Sequence, residues 1–381
     1  MRKWPNRTEP LTMRCEERAV RALLGLAAAI ALALTGCTAE SPRHIGPTPQ
    51  RASFGTSGGS LTMDGKPWWP TGLNAYSLGT NWAVNAGCGP QVDLDTYFSQ
   101  LPRRSLTRVA VVPHMAVNKH TGRLDFSALD AVFAAAERHD QLLIPVLSGQ
   151  DGHCENEFFK DYTWYAGGWR TDTSHGAPMP FAQWLDTAVT RWGDSPAVAG
   201  WTPVGEPTPS MCVDGQCDWR TNTCPADAAA VLRGFFDATG ARIRELDPGA
   251  VIWDGRVGGS QCGSVGDDYR SVSTSDGIDV LEYHDYEQGG SLPGHEAGDL
   301  GQRLDQARAV DKPLVVAEIG IPAGSCRSLD DRQAGLAEVI RRERGAGAAG
   351  ALLWAFVPEP RVHDCTLDIG PADPALKLLG S

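Results

Sequence analysis

The chain is poor in basic residues and has no extended basic segment. Its 381 residues include 34 Lys and Arg against 46 Asp and Glu, which gives a formal net charge of −12. A nucleic-acid-binding surface needs clustered basic groups to neutralise phosphates. We therefore expect no nucleic acid partner. With 42% hydrophobic and 21% charged residues, the composition is typical of a globular protein and excludes a disordered one.

Cysteine and histidine pairs with metal-ligand spacing are also missing. Cys212, Cys217 and Cys224 do not supply the C-x-x-C pairs of a structural zinc site. The histidines are scattered, and no H-x-H motif follows the first predicted strand, which disfavours a metal-dependent barrel hydrolase. We expect neither a metal nor another cofactor.

The N-terminal segment has the pattern of an export signal. Arg14, Arg18 and Arg21 precede an apolar run, residues 22–34, that is too short for a comfortable membrane span. The run ends in Leu-Thr-Gly followed by Cys37, a pattern that resembles the bacterial lipobox. Cys37 would then become the lipidated first residue of the mature chain. A signal anchor with a chance cysteine is the alternative.

Three segments follow from this pattern. Residues 1–36 are predicted to be a lipoprotein signal peptide, with translation starting at Met1 or Met13. Residues 37–60 are rich in Pro, Ser, Gly and Thr and are predicted to be a flexible tether. Residues 61–381 are predicted to form the folded domain. We expect an exported protein of the cell envelope, either lipid-anchored through its lipobox cysteine to the outer face of the plasma membrane or secreted.

Eight of the ten cysteines remain once the export segment and the lipobox are set aside. An even number of cysteines in an exported chain favours disulfide bonds, although spacing does not determine their connectivity. All eight fall on segments that follow predicted strands. The pairs Cys88–Cys154 and Cys326–Cys365 would staple loops at the rim of a pocket and limit the entropy lost when a ligand orders those loops. The eight are Cys88, Cys154, Cys212, Cys217, Cys224, Cys262, Cys326 and Cys365.

From Leu61 onward, short apolar runs alternate with amphipathic helical patterns. The runs are nearly continuous in apolar residues, as expected for parallel strands buried on both faces. Eight such runs with intervening helices predict an α/β fold, a single (β/α)8 TIM barrel whose post-strand loops form the catalytic face. The Gly/Ser-rich residues 262–277 leave the fifth helix weakly indicated. The predicted strands are Trp68–Leu73, Thr107–Val112, Leu142–Leu147, Val198–Val204, Val251–Trp253, Ile278–Tyr283, Leu314–Ala317 and Ala351–Phe356. The predicted helices are Leu94–Leu101, Phe126–His139, Phe181–Trp192, Asp227–Leu246, Gly298–Ala309 and Leu329–Arg344.

Two glutamates stand at the carboxyl ends of predicted strands. Glu206 closes the fourth strand in Trp-Thr-Pro-Val-Gly-Glu-Pro, and Glu318 closes the seventh in Val-Val-Ala-Glu-Ile-Gly. A carboxylate there is costly unless it is paired or used, and these two would face each other across the barrel mouth. Glycoside cleavage requires such a pair, one to protonate the leaving oxygen and one to attack the sugar carbon or activate water. A solvated strand end or a structural ion pair is the alternative for each.

Several further motifs occur in the order expected of one known family. Residues 61–67 resemble a short hairpin before the first strand, and Glu206 lies in a Gly-Glu-Pro sequence similar to an Asn-Glu-Pro motif. The other matches are Arg108 on the second strand, the His284/Tyr286 pair on the sixth, Glu318 on the seventh and Trp354 on the eighth. From about Gly58 to Leu379 the chain therefore resembles the cellulase-like glycoside hydrolases of family 5, which are retaining enzymes on (β/α)8 barrels.

The resemblance implies roles for the matched residues. Glu206 corresponds to the acid/base and Glu318 to the nucleophile of a double displacement. Arg108 would hold Glu318 ionised, while burial and the charge of Glu318 would raise the pKa of Glu206 and keep it protonated at first. Tyr286 would hydrogen-bond the nucleophile, and His284 would hold a substrate hydroxyl or orient a carboxyl group.

Two features of the resemblance concern the sugar. Trp354 corresponds to the aromatic platform under it. Gly205 stands where the family has an Asn that hydrogen-bonds the sugar 2-hydroxyl, and this departure makes a furanose or another unusual ring more plausible.

Other residues near strand ends complete the candidate site. Asn74 follows the first strand, His114 the second and Asp254 the fifth, and we expect all three to line the pocket. Glu282 shares strand parity with His284, and we expect it lower in the barrel, paired with a basic residue. The tryptophans on post-strand segments are candidates for stacking on sugar rings; they are Trp82, Trp164, Trp169 and Trp219.

The sequence thus predicts an exported, monomeric retaining glycoside hydrolase with an oligo- or polysaccharide substrate. Two substrate classes stay open: β-mannan or β-glucan, and furanosides such as cell-wall galactofuran or arabinan. The second class is suggested by the Asn-Ala-Gly-Cys-Gly pattern from Asn85 to Gly89, which resembles that of related actinobacterial proteins. The rival hypothesis is a non-catalytic carbohydrate-binding lipoprotein on the same barrel. Because both Glu206 and Glu318 are present, an enzyme is favoured.

Overall fold

A computed structural model gives the fold. The residues described are 51–213, 217, 221–286 and 300–380. The predicted signal peptide, Cys37 and Trp219 lie outside the described residues. Among the helices in the described ranges, none is both long and apolar enough to cross a bilayer.

The element order is that of a (β/α)8 barrel preceded by a small antiparallel sheet. The strands are β1 (Phe54–Ser57), β2 (Ser60–Met63), β3 (Lys66–Trp68), β4 (Thr71–Asn74), β5 (Leu106–Ala110), β6 (Leu142–Val146), β7 (Leu281–Tyr286), β8 (Leu314–Gly320), β9 (Ala323–Gly324), β10 (Ala351–Leu353) and β11 (Cys365–Thr366). The helices are α1 (Leu94–Ser99), α2 (Ser127–Arg138), α3 (Tyr162–Ala166), α4 (Phe181–Trp192), α5 (Ala228–Leu246), α6 (Asp268–Ser273), α7 (Leu300–Ala309) and α8 (Leu329–Ala346).

The central sheet is a closed ring of parallel segments. Six strands pair in the order β6-β5-β4-β10-β8-β7. The other two predicted strands form isolated parallel bridges: residues 198–205 bridge to β6 and its following loop, and residues 252–253 bridge both to Trp201 and to Val280 before β7. In the described residues the ring therefore passes through eight positions. The predicted TIM barrel is confirmed.

Helices form where the hydrophobic periodicity predicts them. α2, for example, buries Leu129 and Phe133 on the face that meets the sheet. α8 begins after Ser328, whose hydroxyl accepts a hydrogen bond from the N–H of Asp331, and ends at Gly347 in the left-handed conformation. The Gly/Ser-rich segment yields only the short α6, which agrees with its weak helical pattern.

The folded structure starts earlier than the predicted boundary at residue 61. Residues 51–60 were expected in the tether, but Arg51 donates to the Asp247 carboxylate at 2.8 Å and to the Gly193 carbonyl at 2.6 Å. β1 also pairs along its whole length with β2. The predicted tether is therefore wrong for these ten residues.

The physical reason for this early start is that the segment forms an apolar cover over the lower end of the barrel, opposite the carboxyl ends of the barrel strands. Phe54 packs on Trp68, with ring centroids 5.3 Å apart, and both rings lie against the inward-facing core that includes Leu61. The flexible composition of the segment reflects a hairpin turn, in which Gly58 and Gly59 adopt φ of 55° and 72°.

Disulfide bonds join the loops at the carboxyl ends of the strands. The predicted pairs Cys88–Cys154 and Cys326–Cys365 are confirmed. The first ties the loop after β4 to the loop after β6, and the second ties the segment after β8 to the segment after β10. The other pairs in the described residues are Cys212–Cys217 and Cys224–Cys262.

Candidate active site

Five polar residues meet inside the carboxyl end of the barrel. Strand register brings Asn74 of β4 beside Arg108 of β5, and His284 of β7 beside Glu318 of β8. Glu206 follows the fourth position of the ring. Alternate strand residues face the barrel interior, so this register directs the five side chains into one space.

Glu318 is a buried carboxylate with a partner on each oxygen. Arg108 Nη1 donates to Oε1 at 2.7 Å, and the Tyr286 hydroxyl donates to Oε2. His284 Nδ1 lies 3.3 Å from the same Oε2. These partners fix the orientation of the carboxylate, as a group that attacks along a defined line requires.

Glu206 lies opposite, at the mouth of the barrel, with 49% of its side chain exposed. Its φ of 60° is unusual for a residue with a side chain, and its N–H donates to the Gly255 carbonyl at 2.8 Å. Oε1 lies 2.8 Å from His284 Nδ1. One carboxylate oxygen of Glu206, one of Glu318 and a ring nitrogen of His284 all lie within 4.8 Å of one another. The two carboxyl groups can therefore act on a single bond.

A lower polar layer supports these groups. Glu282 is fully buried, lies 3.4 Å from Arg108 Nε, and accepts hydrogen bonds from the Thr202 hydroxyl and the Gly255 N–H. This is the deeper, Arg-paired position predicted for Glu282. Asn74 accepts from Arg108 Nη1 at 3.2 Å and donates to a main-chain carbonyl of β8 at 2.7 Å. Arg108 is thereby held from both sides.

The resting protonation pattern differs from the one expected from the sequence. Burial alone would lower the pKa of His284, but the surrounding carboxylates, Glu318 foremost, raise it to about 10. Burial raises the pKa of Glu206, but the hydrogen bond with His284 and the positive charges of His284 and Arg108 together lower it by more. Burial raises the pKa of Glu318 despite the charges of His284 and Arg108. The expected order is reversed because burial outweighs the cationic neighbours at Glu318, whereas the cationic neighbours outweigh burial at Glu206.

Two groups of potential metal ligands come together in the described part of the chain. In the group around His153, the sulfurs of Cys88 and Cys154 are joined in a disulfide, so no thiolate is available. The other group is the two glutamates with His284. In this group His284 Nδ1 already lies within hydrogen-bonding distance of Glu206 Oε1, at 2.8 Å.

An aromatic surface lies beside Glu318. Trp354, just after β10, stacks on Tyr76 with ring centroids 6.0 Å apart and planes 18° apart. The edge of its ring faces Tyr286 at 6.4 Å, which places Trp354 next to the nucleophile candidate. Sequence reasoning missed Tyr76; its place two residues after Asn74, at the end of the first barrel strand, is the signal that could have identified it.

Some residues expected in the pocket lie elsewhere. Asp254 is fully buried and pairs with Arg256 at 2.7 Å, so it stabilises the barrel wall. Trp164 and Trp169 are 3% and 6% exposed and pack around Phe235 of α5. They are core residues because the segment after β6, which includes α3, packs both indole rings against α5.

His114 and Trp82 lie on the segments that follow β5 and β4, respectively. His114 is half-buried, accepts a hydrogen bond from the Asn156 side chain at 3.1 Å, and has its pKa lowered by burial. Trp82 is 55% exposed, so its ring is accessible for stacking on a sugar.

A (β/α)8 barrel with two glutamates facing each other at the ends of its fourth and seventh strands defines a glycoside hydrolase. No family model matches the chain. The chain is 24% identical over 342 residues, 80% of its length and 67% of the relative's, to the probable mannan endo-1,4-beta-mannosidase F of Aspergillus flavus. It is 25% identical to the mannan endo-1,4-beta-mannosidase A of Hypocrea jecorina over 62% of the chain and 51% of that protein.

Solved structures show the same fold. The endo-1,4-beta-mannanase of Rhizomucor miehei matches with a TM-score of 0.61 and 19% identity, over 85% of this chain and 96% of that one. The glycoside hydrolase family 5 mannosidase of the same organism matches with a TM-score of 0.58 and 12% identity, over 87% and 96%. These structures show the fold, and the mannosidase names of the curated relatives agree with the resemblance seen in the sequence.

Proposed function

We propose that the protein is an exported, retaining glycoside hydrolase that cleaves internal bonds of a β-1,4-mannan by double displacement. The observation that carries the reaction type is the close approach of the Glu206 and Glu318 carboxylates, whose oxygens come within 4.8 Å of each other. Retaining enzymes have carboxyl groups about 5 to 5.5 Å apart, whereas inverting enzymes separate them by about 6.5 to 9.5 Å to admit a water.

Glu318 acts as the nucleophile in this proposal. Arg108, Tyr286 and His284 hold its two oxygens, so the carboxylate needs no reorientation to attack the anomeric carbon. The bond from that carbon to the leaving oxygen breaks as the bond to Glu318 forms. The Tyr286 hydroxyl then hydrogen-bonds the remaining carboxyl oxygen of the covalent intermediate.

Glu206 acts as the acid/base. It needs a proton to give to the leaving oxygen, and the His284 imidazolium holds one at 2.8 Å. A bound sugar removes water from the half-exposed carboxylate, which raises the pKa of Glu206 and favours its protonation. In the second step Glu206 takes a proton from the water that hydrolyses the intermediate, and the anomeric configuration is retained.

The relatives support mannan as the substrate. The curated and structural relatives described above carry mannanase or mannosidase names, and none of these names refers to a furanosidase. The aromatic surface of Trp354 and Tyr76 fits the flat apolar face of a pyranose ring.

The test compares wild type with Glu318→Ala, Glu206→Ala and the exposed control Glu338→Ala on linear β-1,4-mannan, β-glucan, galactofuran and arabinan. We expect wild type and the control to release manno-oligosaccharides, with the retained anomer appearing first by proton NMR. Both catalytic variants should lose at least about a thousandfold. Wild type that binds mannan but releases no sugar would instead establish a carbohydrate-binding protein.

Azide distinguishes the two roles. With an aryl β-mannobioside, Glu206→Ala should still form the intermediate and give the β-glycosyl azide, because azide needs no base. Glu318→Ala should give only the α-azide by direct attack. Exchanged products would reverse the assignment of the two glutamates.

We also propose that Cys37 carries a lipid that anchors the protein to the outer face of the plasma membrane. The support is the lipobox pattern and the flexible composition before residue 51. In a bacterial host, wild type and the control Cys15→Ser should incorporate a radiolabelled fatty acid and partition into detergent, whereas Cys37→Ser should do neither. Equal labelling of Cys37→Ser would exclude the anchor.

A further inference from the structure

Two nitrogens of the Arg108 guanidinium, Nε and Nη2, make no hydrogen bond among the described residues. Nη1 donates to Glu318 and Asn74, and Nε faces Glu282 at 3.4 Å. Arg108 is only 7% exposed, yet no side chain or carbonyl in the described ranges accepts from Nη2. Nε is completely enclosed without a partner, whereas Nη2 is not enclosed. Nη2 therefore keeps some accessible surface, and it lies beside Gly205.

Gly205 is the residue that leaves Nη2 uncovered. A Cβ at this position would lie 3.2 Å from Nη2 and 3.3 Å from Val146 Cγ1, closer than ordinary contact. Any larger side chain would therefore lie over the nitrogen. The backbone at Gly205 does not have a positive φ, so its conformation does not require glycine. The feature that matters is the missing side chain.

We infer that Arg108 Nη2 donates a hydrogen bond to the sugar 2-hydroxyl, on the carbon next to the anomeric carbon. The inference rests on the proposed function and assigns specificity within that site. Glu318 attacks the anomeric carbon and is held by the neighbouring nitrogen Nη1, so the hydroxyl on the adjacent carbon comes beside Nη2. A guanidinium can only donate. Arg108 therefore positions both the nucleophile and the hydroxyl next to the reacting carbon.

The test uses 4-nitrophenyl β-mannobioside and its analogue without the 2-hydroxyl on the sugar that bears nitrophenol. Each kcat/KM is divided by the rate of spontaneous hydrolysis, since deoxy sugars react faster on their own. Gly205→Ala covers Nη2 with a methyl group, and Gly205→Asn covers it but supplies an amide. Arg108→Lys keeps the charge opposite Glu318 and removes the second nitrogen of the fork.

We expect Gly205→Ala to lose about ten- to a hundredfold on the hydroxylated substrate and less than about twofold on the deoxy substrate, the effect of a charged hydrogen bond. Gly205→Asn should recover part of this loss. Arg108→Lys should lose the preference for the hydroxylated substrate, whatever its overall rate. Equal losses on both substrates, or no loss, would overturn the Nη2 contact while leaving the mannanase proposal intact. Wild type that does not cleave the mannobioside would overturn the substrate and the contact together.

Discussion

At the scale of single residues, one imidazolium governs the protonation of the candidate site. His284 Nδ1 lies between the carboxylates of Glu206 and Glu318, and Glu282 approaches its other nitrogen at 3.6 Å. Its positive charge lowers the pKa of each neighbour. The charge of the site therefore depends on a residue that itself forms no bond to the sugar in the proposed reaction.

Replacing His284 should shift the pH dependence of the reaction. His284→Gln removes a positive charge beside Glu318, so the pKa of Glu318 rises further. Because Glu318 must be ionised to attack, the acidic limb of kcat/KM should move to higher pH. Profiles from about pH 4 to about pH 9 measure this shift, with the exposed His120→Gln as control. An acidic limb that stays in place or moves to lower pH would contradict this account of the electrostatics.

The sequence was sufficient to predict where these residues lie but not which of them carry a proton. Glu206, Glu318 and Arg108 end or interrupt apolar strands, and strand periodicity alone directs them inward. The reversed pKa order depends on how burial balances the positive charges of His284 and Arg108 at each carboxylate. Spacing along the chain does not determine that balance.

At the scale of elements, the loops at the catalytic face differ in how strongly their disulfides constrain the unfolded chain. Cys88–Cys154 spans 66 residues, whereas Cys212–Cys217 spans only 5. Loop-closure entropy grows with the logarithm of that span. The long-range disulfide should therefore contribute more stability than the short one.

Removing each disulfide should show this order. We expect Cys88→Ser/Cys154→Ser to lower the free energy of unfolding by about 4 kcal/mol and Cys212→Ser/Cys217→Ser by about 2 kcal/mol. Urea unfolding followed by tryptophan fluorescence measures both. An equal or larger loss for the short pair would show that native-state contacts, and not loop closure, dominate.

The sequence predicts a strand or helix correctly where the apolar pattern lies within that element itself. β6 and β8 are buried along their whole length, and their apolar runs show this directly. Val198–Val204 was also predicted as a strand, but this segment forms only isolated bridges, since Pro203 lacks an N–H and cannot donate to a continuous ladder. The burial of Trp164 depended on the docking of α3 against α5, which no local pattern reveals.

At the scale of the whole molecule, the two ends of the barrel have separate tasks. The carboxyl end holds the facing glutamates and the disulfide-stapled loops. The opposite end is covered by the β1–β3 sheet, where Phe54 and Trp68 lie on the lower core. Catalysis and closure of the core are therefore separated along the barrel axis.

This separation predicts that damage to the lower end reduces stability without reducing activity. Phe54→Ala removes a half-buried ring and should lower the free energy of unfolding by about 1 to 2 kcal/mol. Below the unfolding transition, kcat/KM should stay within about twofold of wild type, because the lower core lies at the other end of the barrel. Thr56→Ala, exposed on the same strand, is the matched control and should change stability by less than about 0.5 kcal/mol. If Phe54→Ala lowered kcat/KM while the protein remained folded, the two ends would be coupled, and the barrel would not separate closure from catalysis.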